Sequence, residues 1–208
     1  MQRARNRKNS LIGMLAMFAW LSASSLAAHE LVDKAPPDAM RLTAEDYVEI
    51  QQLAVRYAWT LDHCTNGGYD YADLYVDDGQ FSAAEDWGTT SNDQRTFVAI
   101  GRDALAKAAG GGDDGKCVDP RTYIGYGIKH NVINHMITPT KTGAVGKHGL
   151  IAIGVCGYPH LVELQGGYED VYVKTAEGWK FKSRIHVFNS AQSLQFGVCG
   201  HKEEPHSH

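Results

Sequence analysis

Two periods divide the chain. From Leu42 to His63 the apolar residues return every three or four positions, through Ile50, Leu53, Ala54, Tyr57, Ala58 and Leu61. That spacing predicts an amphipathic helix. Thr43 stands at its start as an N-cap, with Asp46 three residues on, the arrangement of a capping box. The string "TNGG" ends it. "YDYADLYVDDG" predicts a second, short helix running into a turn at Asp78-Gly79, and "QFSAA" a first strand. A third helix is expected from Gly101 to Ala109, stopped by a glycine run. From Gly127 the period falls to two. "GIKHNVINHMITPT", "GAVGKHGLIAIGVCGY", "HLVELQGGYEDVYVKT" and "GWKFKSRIHVF" then read as strands, the last two joined by the hairpin "TAEG". Helices first and strands after is an α+β layout, a curved antiparallel sheet wrapped around the long N-terminal helix.

One residue breaks the helical pattern. At ~100° per residue, Asp62 falls between Ala58 and Val55, inside the apolar arc. That arc is expected to continue through Val55, Val48 and Trp59. A carboxylate in an apolar setting is costly without a partner. Asp62 therefore has a buried partner or lines a cavity. The strand "KHNVINHMI" holds a polar counterpart. Strict alternation places His130, Val132, Asn134 and Met136 on one face and Asn131, Ile133, His135 and Ile137 on the other. A histidine and an aspartate pointing into one cavity form a general acid/base pair. Alternation in the last strand sets Trp179, Phe181, Ile185 and Val187 inward, opposite Lys180, Lys182, Arg184 and His186.

The ends change the picture in a different way. "MQRARNRKNS" is basic, and "LIGMLAMFAWLSASSLAA" is apolar and closes on small residues. This is the layout of a secretory signal peptide, expected over residues 1–27 and followed by a linker over 28–41. One domain then spans 42–190, with a tail over 191–208. Export implies a periplasmic or secreted protein with no stable membrane insertion after cleavage. It also permits disulfides among Cys64, Cys117, Cys156 and Cys199, for which three pairings are open. The formal net charge is −4 with no basic stripe, which speaks against nucleic acid as a partner. No phosphate loop, GxSxG or HExxH string occurs, so neither a cofactor nor a metal is expected.

The strings "LTAEDYVEIQQLAVRYAWTLD", "YADLYVDDGQF", "GRDAL", "KHNVIN" and "GGYEDVYVKTAEGWKFKSRI" together resemble the SnoaL-like branch of the nuclear transport factor 2-like superfamily. The resemblance implies a cone-shaped α+β barrel with a deep, mostly apolar pocket. Members include scytalone dehydratase, bile-acid dehydratase, steroid isomerase, polyketide cyclases and diarylpropane lyases. In the dehydratases an aspartate late in the first helix works with a strand histidine, which maps the roles onto Asp62 and His130. Tyr57 matches a helix tyrosine of the bile-acid enzymes, and Asn134 a polar position four residues past the histidine. Trp87, Phe81 and Tyr168 are the expected aromatic contacts of a small hydrophobic substrate. The implied activity is a cofactor-free lyase that removes water or formaldehyde from an aromatic or polycyclic alcohol or diol. A steroid-isomerase-like proton shuttle and a non-catalytic apolar-ligand binder are the alternatives. Members are commonly dimers or trimers, so a homodimer or homotrimer is expected.

Overall fold

The computed structural model describes residues 35–88, 94–118, 127–154 and 162–188, with the backbone alone at 162–165. All of its elements belong to the compact unit that begins at Pro36. The expected signal segment, Cys156, Cys199 and the histidine-rich tail lie outside the described residues.

Helix α1 (Ala44–His63) opens on the capping box read from the sequence. The Thr43 hydroxyl accepts from the Asp46 backbone, and the Asp46 carboxylate accepts from the Thr43 backbone. Asp46 also accepts from Lys174 Nζ at 2.6 Å and Trp179 Nε1 at 2.9 Å, so one carboxylate ties the helix start to the sheet. Those bonds hold its carboxyl well below the usual carboxylate range, the Lys174 contact most strongly. Ile50, Leu53, Ala54, Tyr57 and Leu61 are buried. Val48, Val55 and Trp59 are exposed, so the buried arc is narrower than the apolar one.

Cys64, not a glycine, supplies the left-handed cap of α1, at φ 46°. A 3₁₀ turn (Thr65–Gly68) and a one-turn helix α2 (Tyr69–Ala72) follow. Gly67 and Gly68 are needed there. Both have positive φ, and a Cβ would meet the Gly115 carbonyl oxygen at 1.9 Å or that of Ala106 at 2.2 Å. Cys64 is disulfide-bonded to Cys117 across 53 residues of sequence. This bridge fixes one of the open pairings. Serine at either position should lower stability by ~2–4 kcal/mol. Denaturant unfolding of each variant beside the oxidised wild type checks that. An unchanged midpoint would mean the bridge does not restrain the unfolded chain.

The sheet has order β2-β1-β6-β5-β4-β3. Its strands are β1 (Tyr75–Ala84), β2 (Arg95–Ile100), β3 (Ile128–Pro139), β4 (Gly143–Gly154), β5 (Val162–Thr175) and β6 (Gly178–Phe188). Helix α3 (Arg102–Ala108) connects β2 to the insertion before β3. The sheet is curved and unclosed, with β2 and β3 at its edges. Every pair is antiparallel except β1 with β6, which is parallel. The expected turn at Asp78-Gly79 is instead a break in register inside β1. Strand β2 is absent from the sequence reading, because Phe97, Val98, Ala99 and Ile100 do not alternate in polarity.

Bulges decide what faces the interior. On β3, Ile133 pairs with Gly149 and Met136 with Lys147, leaving an extra residue between them. Asn134 takes φ 54° at that point. On β6, Phe181 pairs with Tyr172 and Ser183 with Val171, leaving Lys182 as the extra residue. Lys182 turns out to an ion pair with Asp78, beside the break in β1. A bulge reverses the inward set of every later residue. So Arg184 and His186 face inward, and Ile185 and Val187 pack with Ala84 on the other side. This corrects the alternation expected for the last strand.

Candidate active site

Asp62 finds its partner on β3. Late in α1 it lies against the start of the edge strand, and its carboxylate takes two donors from one residue. His130 Nδ1 is 2.5 Å from Asp62 Oδ1, and the His130 backbone N–H donates to Oδ2 at 3.0 Å. The Asp62 side chain is buried, at 7% exposure, and that of His130 nearly so, at 10%. The two-point grip fixes the ring. With Nδ1 donating to the carboxylate, Nε2 is the basic nitrogen of the imidazole. Lys129 Nζ donates to the Asp62 carbonyl at 3.3 Å, which holds the helix end from the outside.

The inner wall carries the other expected aromatics in part. Tyr57 is 1% exposed and stacks on Tyr71, Tyr168 and Phe181. Burial pushes its phenol up to about 12, with Asp170 and Asp62 adding to that and Arg184 opposing it. It stays protonated, hydrogen-bonded to Tyr168 and within electrostatic range of Asp62. Phe81 lies on the same wall, 6.4 Å from Tyr57 between ring centroids. Tyr168 is buried at 1% exposure.

Two expected contacts lie elsewhere. Asn134 is exposed, because the bulge turns it out and sets His135 inward against His148, with ring centroids 4.6 Å apart. Trp87 lies on the outer face. Its indole covers Gly167, where a Cβ would meet Trp87 at 2.5 Å, and Lys147 sits 5.3 Å from its ring centroid. The neighbouring Gly88 N–H donates to Glu169 at 2.8 Å. A groove of about 510 Å³ lined by Glu85, Asp86, Trp87, Gln94, Arg95 and Thr96 opens there, at the ends of β1 and β2.

Sequence reasoning missed a charged cluster in the interior. Arg184 is fully buried and donates to Asp170 through Nε at 2.9 Å and Nη2 at 3.0 Å. Its guanidinium lies 4.0 Å from the ring centroids of both Tyr57 and Tyr168. Asp170 also accepts from the Tyr172 hydroxyl at 2.7 Å, and His148 Nε2 is 2.6 Å from that hydroxyl. Burial alone would raise the Asp170 carboxyl, but Arg184 and His148 more than reverse this and hold it below its ordinary value. His186 is held neutral, down at about 3, by burial and then by the His130 and Arg184 charges. For Arg184 and His186 the signal was available only as alternation with a one-residue slip. Among the described residues no group of three His, Cys, Asp or Glu is placed to hold a metal ion. No helix among them is long and apolar enough to cross a membrane.

The profile of the SnoaL-like domain matches residues 42–185, which takes in every element from α1 to most of β6. The chain belongs to the SnoaL-like domain family. This SnoaL-like chain matches no curated protein. Its fold is shared with solved structures. One is a nuclear transport factor 2-like protein with a cystatin-like fold from Novosphingobium aromaticivorans, at 20% identity and TM-score 0.54, covering 84% of this chain and 97% of that one. Another, a cystatin-like-fold protein of unknown function from Nostoc punctiforme, is 21% identical with TM-score 0.57, covering 75% and 100%. A third, a function-unknown protein from Mycobacterium tuberculosis, is 19% identical with TM-score 0.56, covering 75% and 80%. These likenesses bear on fold.

Proposed function

We propose that this SnoaL-like chain is a cofactor-free lyase acting on a small hydrophobic alcohol or diol, aromatic or polycyclic. The observation that carries the reading is the double hold of Asp62 on His130. A base oriented by a buried carboxylate, with its second nitrogen available, is what proton abstraction needs. His130 Nε2 takes a proton from the carbon beside the carbinol. The carbanion so formed, delocalised into the ring or an adjacent carbonyl, expels hydroxide, which leaves as water with the proton from His130. One C–H and one C–O bond are exchanged for a C=C bond and one water, and the imidazole is regenerated.

Incubation of the purified protein with a panel of aromatic diols and steroid alcohols, without cofactor, tests this by product mass. Loss of water or of formaldehyde supports a lyase. Rearrangement at unchanged mass makes it an isomerase. Binding without turnover makes it a carrier of apolar ligands.

The same reading places the protein in an oxidising compartment, where the Cys64–Cys117 bridge persists. N-terminal sequencing of exported material should begin at Ala28 or His29. An intact Met1 on soluble cytoplasmic protein would sink the export reading. The outer sheet face keeps Val171 exposed at 40%, and a second copy covering it would make a homodimer or homotrimer. A monomeric mass by light scattering at micromolar concentration would count against that assembly.

A further inference from the structure

Apart from the Asp62–His130 pair, three imidazoles among the described residues carry a buried nitrogen without a hydrogen-bond partner, on His135, His148 and His186, and His186 is the one set between two aromatic rings within electrostatic range of His130. His186 Nε2 is buried and has no hydrogen-bond partner among the described residues. Its ring packs between Tyr168 and Phe188, at 5.4 and 5.8 Å between centroids. The β6 bulge turns it inward, next to the Arg184 position, and it feels the charges of both His130 and Arg184. A buried polar atom without a partner costs ~1–3 kcal/mol. Such an atom in a native interior points to a functional role or to a missing partner.

We infer that His186 Nε2 is the second polar contact of the substrate and that the atom it binds is a neutral oxygen, a hydroxyl or ketone and not a carboxylate. This deepens the lyase reading and rests on it for the bond that breaks. Charge argues for the neutral group. With Asp46 paired to Lys174 at the helix start, the described interior holds the Asp62 and Asp170 carboxylates against the single Arg184 guanidinium, which gives Nε and Nη2 to Asp170 and keeps Nη1 alone without a partner. A third carboxylate would enter an excess of negative charge at low dielectric. His186, neutral itself, offers it no compensating charge. A neutral imidazole can donate to or accept from an alcohol oxygen without that penalty. His186 then holds the oxygen while His130 works on the neighbouring carbon.

The probes are 2-naphthol, 2-naphthoate and naphthalene, titrated into the purified full-length protein by calorimetry. Imidazole ¹⁵N resonances are followed in parallel. 2-Naphthol should bind about tenfold tighter than naphthalene, and 2-naphthoate at least as weakly as naphthalene. 2-Naphthol should also shift the His186 Nε2 resonance, and naphthalene should not. His186→Phe keeps an aromatic ring in place and should lose the tenfold preference while binding naphthalene as before. His186→Gln, which returns a donor at the same reach, should restore it. Equal preference in wild type and His186→Phe, tighter binding of naphthoate, or a silent His186 resonance would overturn the inference. Failure of the lyase reading looks different. There the diol panel gives no product while the naphthol preference and its rescue by glutamine persist.

Discussion

Asp62→Asn should cut turnover by ~10²–10⁴-fold while leaving the fold intact, with His130→Ala falling in the same range. The geometry says why so small a change does so much. Asp62 accepts from two His130 donors at once, the backbone N–H and Nδ1–H. An asparagine has one oxygen and one NH₂. The backbone N–H cannot change its role, so it claims the amide oxygen. The NH₂ group is then left facing Nδ1, which must become an acceptor. The imidazole answers by moving its proton to Nε2, and the basic nitrogen is lost. The alternative orientation sets NH₂ against N–H, two donors face to face. Because the two residues act as one unit, the double variant should be little worse than either single one. Losses that multiply, or an asparagine variant with near-normal rate, would reduce Asp62 to a residue that only ends a helix.

The largest effect on stability should come from the buried pair below that site. Removing one partner of Asp170–Arg184 leaves a full charge in a tyrosine-lined interior. Asp170→Asn or Arg184→Met should each cost ~3–5 kcal/mol, a large part of the ~5–15 kcal/mol that holds a domain together. Changing both, as Asp170→Leu with Arg184→Met, should recover most of the loss, since neither charge then remains unpaired. Equilibrium unfolding in urea measures all three. A double variant as unstable as the singles would show that packing, not the charge, is what the pair supplies. Acid should act on the same cluster in stages. His186 has its folded value depressed to about 3. Its contribution is therefore intact above the ordinary histidine value of ~6.5 and is lost as pH falls from there towards 3. The Asp170 carboxyl, held below its ordinary value, adds its loss at still lower pH, below ~3.9. In His186→Phe the decline between pH ~6.5 and 3 should flatten, leaving there the part that His135 contributes, since burial holds it too below its ordinary value.

Much of this architecture could be read from the chain because its signals are local. The Thr43–Asp46 box, the periodicity of α1 and the long strands β3 to β6 each depend on residues a few positions apart. Asp62 announced itself for the same reason: a carboxylate on an apolar arc is visible on a helical wheel. His130 was legible as a polar residue near the start of a strand, and the family likeness joined the two. The interior cluster was not legible. The inward turn of Arg184, His186 and His135 depends on single extra residues at Lys182 and Asn134, and no periodic reading registers a slip of one. The outer-face position of Trp87 was illegible for another reason. An aromatic in a loop can cover either face of a sheet, and the choice fell to Gly167, a cross-strand gap that only the fold brings beneath it.

Those slips also carry a consequence for how such a chamber can be remodelled. Substitution alters one lining position at a time. Drawing Lys182 into regular pairing at unchanged chain length would carry Ile185 and Val187 across to the concave side and expel Arg184 and His186 together, turning a charged lining into a greasy one in a single event. Drawing Asn134 into its ladder would likewise exchange His135 for Met136. A scaffold that sets polarity by where a bulge sits has a shorter route between unrelated substrates than one that must rebuild its lining residue by residue.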